Sequence, residues 1–207
     1  MSKPDHSIDP RIRESAKKEF LAYGFEKASL KAICENAKIT TGALYKRYKG
    51  KEDLFCSVVA DTVADLNGVV EQRCAVDVND LSDDALMKAW DMDEEAMLWW
   101  FQFLYARRDN FVLLIKCADG TEYSNFQHDW VEKMTVKSYE YFCEAQKRGL
   151  TYVNVSMEEM HILLSAFWTT IYEPFIHHYA WEQMEAHCKL VCDLFNWQRV
   201  LGFGLPT

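Results

Sequence analysis

An all-α fold is what this sequence predicts, and three observations carry the prediction. The 207 residues include 4 prolines and 8 glycines, so long stretches pass without either residue that punctuates helices. Apolar residues return every three or four positions over most of the chain, the period of a helix with one buried face. Hydrophobic residues make up 49%, which argues against disorder and supplies a sizeable core for one or two domains.

The elements follow in order. Asp9 is placed to cap a first helix, with Pro10 at its first position. Ile12, Ala16 and Phe20 form its apolar stripe, and Gly24 ends it. Ser29 caps a second helix whose inward face is Leu30, Ile33, Cys34 and Ala37. Thr40 caps a short third helix with Leu44 and Tyr48 turned inward. Beyond Gly50 a longer helix carries Leu54, Phe55, Val58, Val59, Thr62, Val63 and Leu66 on one side. Residues 77–84 read as a polar junction. Residues 93–106, 109–117, 123–148, 156–180 and 182–202 read as helices. Pro174 is expected to kink or divide the fourth of these, and Gly202 with Gly204 to end the last. Thr151 to Val155 carries β-propensity but is too short and isolated for a sheet.

Charge divides the chain in two. The formal net charge is −9, yet residues 1–55 hold 12 Lys and Arg against 8 Asp and Glu, and the remainder 11 against 24. A basic N-terminal third on an acidic body leaves one face competent to meet a polyanion. The first residues lack an apolar signal core, and no uninterrupted apolar stretch of about 18 residues occurs, so a cytoplasmic protein without a membrane span is expected. The seven cysteines include no C-x-x-C and read as reduced, mostly buried thiols, with Cys188 and Cys192 as an i,i+4 pair open to a redox role. No Ser-His-Asp order, glycine-rich phosphate loop or H-E-x-x-H is visible, and an enzyme is not expected.

Two short helices joined by Ala37-Lys38-Ile39-Thr40 suggest a helix-turn-helix. The second is too short to be stable alone, so it must pack on its neighbours and leave its other face free. Thr41, Ala43, Lys46 and Arg47 lie on that face. Small residues there let the backbone approach base edges, and hydroxyls and cations supply hydrogen bonds to bases and phosphates.

Residues 24–55 resemble the DNA-binding domain of the TetR/AcrR family of bacterial transcriptional regulators. Gly24-Phe25, Leu30, Ile33, Ala37, Ile39, Thr40, Gly42, Leu44-Tyr45, Tyr48, Lys51-Glu52 and Leu54 occupy the family's fixed positions. Cys34 stands for the usual Ala, Lys38 for Gly, Arg47 for His or Tyr, and Gly50 for Ser or Asn. The resemblance implies that Thr40 caps the recognition helix and touches phosphate, that Thr41 and Ala43 face bases, and that Tyr45 gives its hydroxyl to phosphate. It further implies that Lys46 or Arg47 reaches phosphate or a guanine edge, and that Lys51 binds phosphate with the N-terminus of the fourth helix. It implies a DNA-binding domain over 1–55, linked by a helix over about 51–72 to a helical ligand-binding and dimerisation domain over 56–207.

All seven tryptophans lie in the second part, and residues 97–115 are almost wholly apolar or aromatic. A large core and an aromatic-lined pocket for an apolar or planar effector are both consistent with this. Residues 113–134 resemble the ligand domain of a subset of the family through Cys117, Gly120, Thr121, Tyr123, Phe126, His128, Val131 and Glu132. Candidate ligand-binding residues are Trp100, Phe103, Cys117, Tyr123, His128, Glu132, Trp168, Glu173 and His177. The i,i+4 pairs His128/Glu132 and Glu173/His177, if they converge, suit a divalent metal, a polar ligand head or a structural network.

No resident cofactor is expected. The resemblance implies a homodimer, built on the last two long helices, that presents two heads to a pseudo-palindromic operator at about 34–36 Å spacing. Phe167, Trp168, Leu190, Leu194, Phe195 and Trp197 are candidates for that interface. The function implied is a ligand-responsive repressor. The alternatives are a helical interaction protein or accessory factor without effector control, and a metal-responsive regulator using His128, Glu132 and His177.

Overall fold

The computed structural model describes residues 8–204. Those residues form eleven α-helices: α1 (Asp9–Lys27), α2 (Leu30–Ala37), α3 (Thr41–Tyr45), α4 (Lys51–Cys74), α5 (Asp83–Lys88), α6 (Glu94–Tyr105), α7 (Arg108–Lys116), α8 (Phe126–Lys147), α9 (Met157–Ile176), α10 (Trp181–Leu194) and α11 (Trp197–Val200). Extended pairing among the described residues is limited to one bridge, between Thr151 and Phe203. Two compact units result. One runs to Leu66 and takes in Arg107–Phe126; the other comprises Asn67–Ala106 and the chain from Gln127 onward. The expected division at residue 55 thus marks the end of the motif, while the compact unit around it extends further along α4 and recruits α7.

In the first unit α1 packs against α2 and α7. Ile12, Ala16 and Phe20, the predicted stripe, are fully buried with Ile33, Leu54 and Phe55. Removing each such large side chain from water stabilises the unit by roughly 1.5–3 kcal/mol. Phe55 meets Phe20 and Phe25 edge-on at 5.1 and 5.6 Å, so α4 is locked to α1 by aromatic geometry as well as area. Gly24 adopts φ 72°, ψ 165° and breaks the helix where the sequence places its end, before one further turn to Lys27. The N-terminus differs from expectation. Ile8 holds the cap position without a side-chain bond, and Asp9 instead sits in the first turn.

Local capping sets α2 and α3. The Ser29 hydroxyl accepts from the Ala32 N–H, and the Ser29 N–H donates to the buried Glu19 carboxylate at 3.0 Å. Glu19, on α1, therefore does across the fold what the third residue of a capping box does within one helix. The turn that follows places Lys38 at φ 55°, ψ 48°, with its N–H and that of Ile39 bonded back to Glu35 and Cys34 carbonyls. Lysine here occupies the left-handed conformation that glycine takes without strain.

In the second unit α6 packs on α10. The junction over 77–84 is ordered by one side chain. Arg148 donates to the carbonyls of Val78, Asn79 and Leu81 and pairs with Asp83 and Glu144. With Ser82 as cap and Asp83 and Asp84 in the first turn, part of the junction becomes α5. The helix expected over 123–148 starts at Phe126, because Thr121 and Ser124 turn back onto the Ala118 carbonyl. Helix α9 has the Ser156/Glu159 capping box and ends two residues after Pro174, so the proline falls in its last turn rather than dividing it. The helix expected over 182–202 stops at Leu194, and Asn196 caps a separate α11. At Gly202, φ +68°, a Cβ would lie 2.3 Å from Val153, which explains glycine beside the Thr151 bridge.

Replacing Lys38 by glycine removes the left-handed strain and is expected to stabilise the first unit by about 0.5–1 kcal/mol. A raised denaturation midpoint for Lys38→Gly checks this, and an unchanged or lower midpoint contradicts it.

Candidate nucleic-acid interface and ligand pocket

The third helix has five residues, and the structure shows what holds it. Leu44 is buried to 1% exposure against α2, and the Thr40 hydroxyl accepts from the Ala43 N–H at 3.2 Å. Arg47 completes the attachment. Its Nε donates to Asp9 at 2.6 Å and its Nη1 to the Ala43 carbonyl at 3.1 Å, with the side chain only 12% exposed. Of the two cations expected to reach phosphate or a guanine edge, Lys46 is exposed, whereas the Arg47 guanidinium ties the end of α3 to the start of α1.

What remains open is a compact polar face. Thr40, Thr41 and Lys46 are exposed, Tyr45 is 57% exposed, and Ala43 is half-buried between them. Thr41 and Ala43 lie at the helix start, where a backbone without bulky side chains approaches a groove. Tyr48 is half-buried and Leu44 fully so, as their inward assignment requires.

Lys51 opens α4 but is already engaged. Its Nζ donates to the carbonyls of Glu26 and Ala28 at 2.8 and 3.2 Å and lies 4.7 Å from the centroid of the Phe25 ring. It thereby satisfies carbonyls at the end of α1. An ammonium has three donors, so one N–H is left for a phosphate oxygen.

The second unit contains a cavity of about 410 Å³. Trp90, Trp99, Trp100, Trp130, Trp168 and Trp197 line it, with aliphatic walls from Val131, Leu164 and Ile171. The end of α4 contributes Val69, Gln72 and Arg73. Of the expected ligand residues, Trp100 and Trp168 line this cavity. Phe103 stacks on Trp99 at 5.3 Å and meets Trp100 edge-on, supporting the wall from behind.

The other candidates go elsewhere. Cys117 and Tyr123 belong to the first unit, where the Cys117 carbonyl accepts from the Phe25 N–H at 2.9 Å. Neighbouring Glu122 accepts from the Cys56 thiol and donates its N–H to Glu52, tying this loop to the first turns of α4. His128 and Glu132 are exposed, with the His128 ring 5.5 Å from His161. Glu173 pairs with exposed His177 at 3.3 Å. Among the described residues no group of three or more His, Cys, Asp or Glu is placed to hold a metal ion, so the two pairs do not form the convergent set the sequence allowed. The cavity residues that sequence reasoning missed are Arg73, Trp90 and the remaining indoles. The signal for the indoles was the confinement of every tryptophan to one part of the chain, and Arg73 had none.

The cysteines are free thiols. Burial, reinforced by Cys192, pushes the Cys188 thiol up to about 12, and burial also raises Cys192. Both shifts disfavour the thiolate, the form that reacts in oxidation.

Residues 12–58 match the model of the family described as bacterial regulatory proteins, tetR family. A TetR-like transcriptional regulator from Rhodococcus sp. RHA1 is similar over 96% of this chain and 98% of its own, at 16% identity and a TM-score of 0.63. The transcriptional regulator FadR from Bacillus subtilis, solved in complex with stearoyl-CoA, is similar over 90% and 96% at 12% identity and TM-score 0.57. The fatty acid degradation regulator FadR from Bacillus halodurans is similar over the same shares, at 14% identity and TM-score 0.56. At these identities the likeness to the solved structures is one of fold. Residues 12–58 thus match the tetR-family model, and the chain shares the all-helical fold of solved structures described as TetR-family transcriptional regulators.

The two lysines separate on mutation. Lys46→Ala removes an exposed cation and is expected to lower the salt slope of duplex binding by about 0.9 with thermal stability unchanged. Lys51→Ala is expected to lower both the slope and the melting temperature, because it also strips the end of α1 of its donor. Anisotropy titrations across salt concentrations, paired with thermal melts, check both. A slope unchanged in Lys46→Ala, or a melting temperature unchanged in Lys51→Ala, contradicts the respective assignment.

Proposed function

We propose that this chain, with its tetR-family head, is a ligand-responsive transcriptional repressor that binds a pseudo-palindromic operator as a homodimer in the cytoplasm. The observation that carries the reading is the double use of α4. Its first turns hold Leu54 and Phe55 in the core of the head, and its last turns supply Val69, Gln72 and Arg73 to the aromatic cavity. An occupant of the cavity touches the same continuous helix that carries the head, and a coupling of about 1–3 kcal/mol changes operator occupancy roughly 5–150-fold. Thr40, Thr41, Ala43, Tyr45 and Lys46 make the contacts to DNA, with Lys51 as a secondary phosphate donor.

Dimer formation is supported by α10. Leu190 and Leu194, one turn apart, are 65% and 66% exposed, and Ile162 on α9 is 65% exposed. A self-complementary apolar face of this kind suits a two-fold interface. Phe167, Phe195 and Trp197 pack on one another at 5.1–5.6 Å; Trp168 and Trp197 are buried and line the cavity, while Phe167 and Phe195 are half-buried. No helix among the described residues is long and apolar enough to cross a membrane. The presence of a cavity favours effector control over an accessory role without it.

Selection of duplexes from a random pool by the full chain is expected to yield two inverted half-sites about one helical turn apart. Leu190→Glu with Leu194→Glu is expected to give a folded monomer by light scattering and to weaken binding of that duplex at least about tenfold. A variant that remains dimeric contradicts the α10 interface, and an asymmetric selected site contradicts the homodimeric reading.

A further inference from the structure

The cavity is apolar in its walls yet carries buried donors that no described residue satisfies. Arg73 Nε and Trp90 Nε1 both belong to residues lining the cavity, and neither has a hydrogen-bond partner among the described residues. Trp90 is only 5% exposed. The charged neighbours of Arg73 do not include a carboxylate: its guanidinium lies 4.9 Å over the Tyr141 ring, and Tyr141 and Cys74 are the groups that act on it electrostatically. Burial lowers its pKa, but a guanidinium stays protonated in proteins. Arg73 is half-buried with its Nε shut off from solvent, and a cation so placed, facing a ring rather than an anion, is costly.

We infer that the cavity binds a small organic anion, a monocarboxylate with an aromatic or aliphatic body, whose charged group is received by Arg73 and the Trp90 indole N–H. This rests on the ligand-responsive reading above and specifies its effector class. Both orphaned atoms are donors, so the missing partner is an acceptor. The carboxylate completes a charge-assisted bond to Arg73 in a setting of low polarity, where such bonds are strongest. The apolar remainder of the ligand is sandwiched among the indoles.

Size and charge restrict the class further. A cavity of about 410 Å³ falls within the range of sites that hold small organic molecules. The charged side chains of the lining are Arg73 and Asp91, and Asp91 is exposed and accepts from Gln198. One buried cation balances one negative charge. A coenzyme A thioester presents a neutral carbonyl where the free acid has its charge, and its several phosphates have no second cation in this lining. The free acid is therefore the better match.

The probes are 1-naphthaleneacetate and its neutral isostere 1-naphthaleneacetamide, titrated into the full-length protein by calorimetry. The acid is expected to bind at least about tenfold more tightly than the amide. Arg73→Met is expected to weaken the acid about 10–100-fold while leaving the amide within about threefold, and Trp90→Phe to weaken the acid by a smaller factor. Trp90→Phe keeps an aromatic ring but removes the N–H together with the pyrrole half of the indole, so its effect is read as the change for the acid relative to the change for the amide; the wild-type comparison of acid with amide needs no variant, so a poorly folded Arg73→Met leaves the test intact. Equal binding of acid and amide, or an acid affinity indifferent to both substitutions, overturns the anion inference while leaving an apolar effector pocket standing. Binding of neither probe overturns the pocket reading and this inference together.

Discussion

A helix of five residues cannot hold its backbone together in water, and α3 is such a helix. Everything proposed for DNA recognition depends on its being held from outside. Three attachments do this: the Leu44 side chain in the core, the Thr40 cap, and the Arg47 bridge from the Ala43 carbonyl to Asp9. The bridge matters most for orientation, because it joins the end of α3 to the start of α1, 38 positions away in sequence. The pair is partly sheltered from solvent, at 12% and 24% exposure, so breaking it weighs more than breaking a surface ion pair. With its back face fixed in this way, the helix leaves Thr41, Tyr45 and Lys46 open without each needing support of its own.

The second unit faces the opposite problem. It has ample apolar surface, and its six cavity-lining indoles meet in the pairs Trp90–Trp197, Trp99–Trp100 and Trp130–Trp168 around the cavity. Arg73 Nε is buried at that cavity with no hydrogen-bond partner among the described residues, and an unpaired buried donor costs free energy. Arg73 sits on the last turn of α4, the helix whose first turns belong to the first unit. In the ligand-responsive reading proposed above, a ligand group that accepts from this donor recovers that cost as binding energy, and α4 is the continuous element between the two units.

Much of this was legible in the sequence because it is local. Ser29 and Thr40 cap the helices they precede, Gly24 breaks the helix it ends, and the stripe of Ile12, Ala16 and Phe20 is buried, all consequences of spacings of four residues or fewer. What was not legible depends on distant partners. Arg47 reads as one more cation on the recognition helix until Asp9 is found beside it. Helix α5 reads as part of a polar junction because Arg148, which orders the residues before it, lies more than 60 positions away. Cys117 and Tyr123 share a contiguous motif with His128 and Glu132, yet the boundary between compact units falls at Phe126 and separates them. Arg73 resembles any basic residue closing a helix, where it complements the dipole, and nothing in its neighbours announces that its Nε is buried at a cavity.

The central claim is that Arg47 holds the recognition helix and does not read DNA. A double-mutant cycle on Asp9 and Arg47, with affinity for the selected duplex as readout, tests it most directly. Asp9→Ala and Arg47→Ala are expected to weaken binding by similar factors, with the double variant little worse than either. Loss of affinity in Arg47→Ala with none in Asp9→Ala would contradict the claim and return Arg47 to the DNA interface.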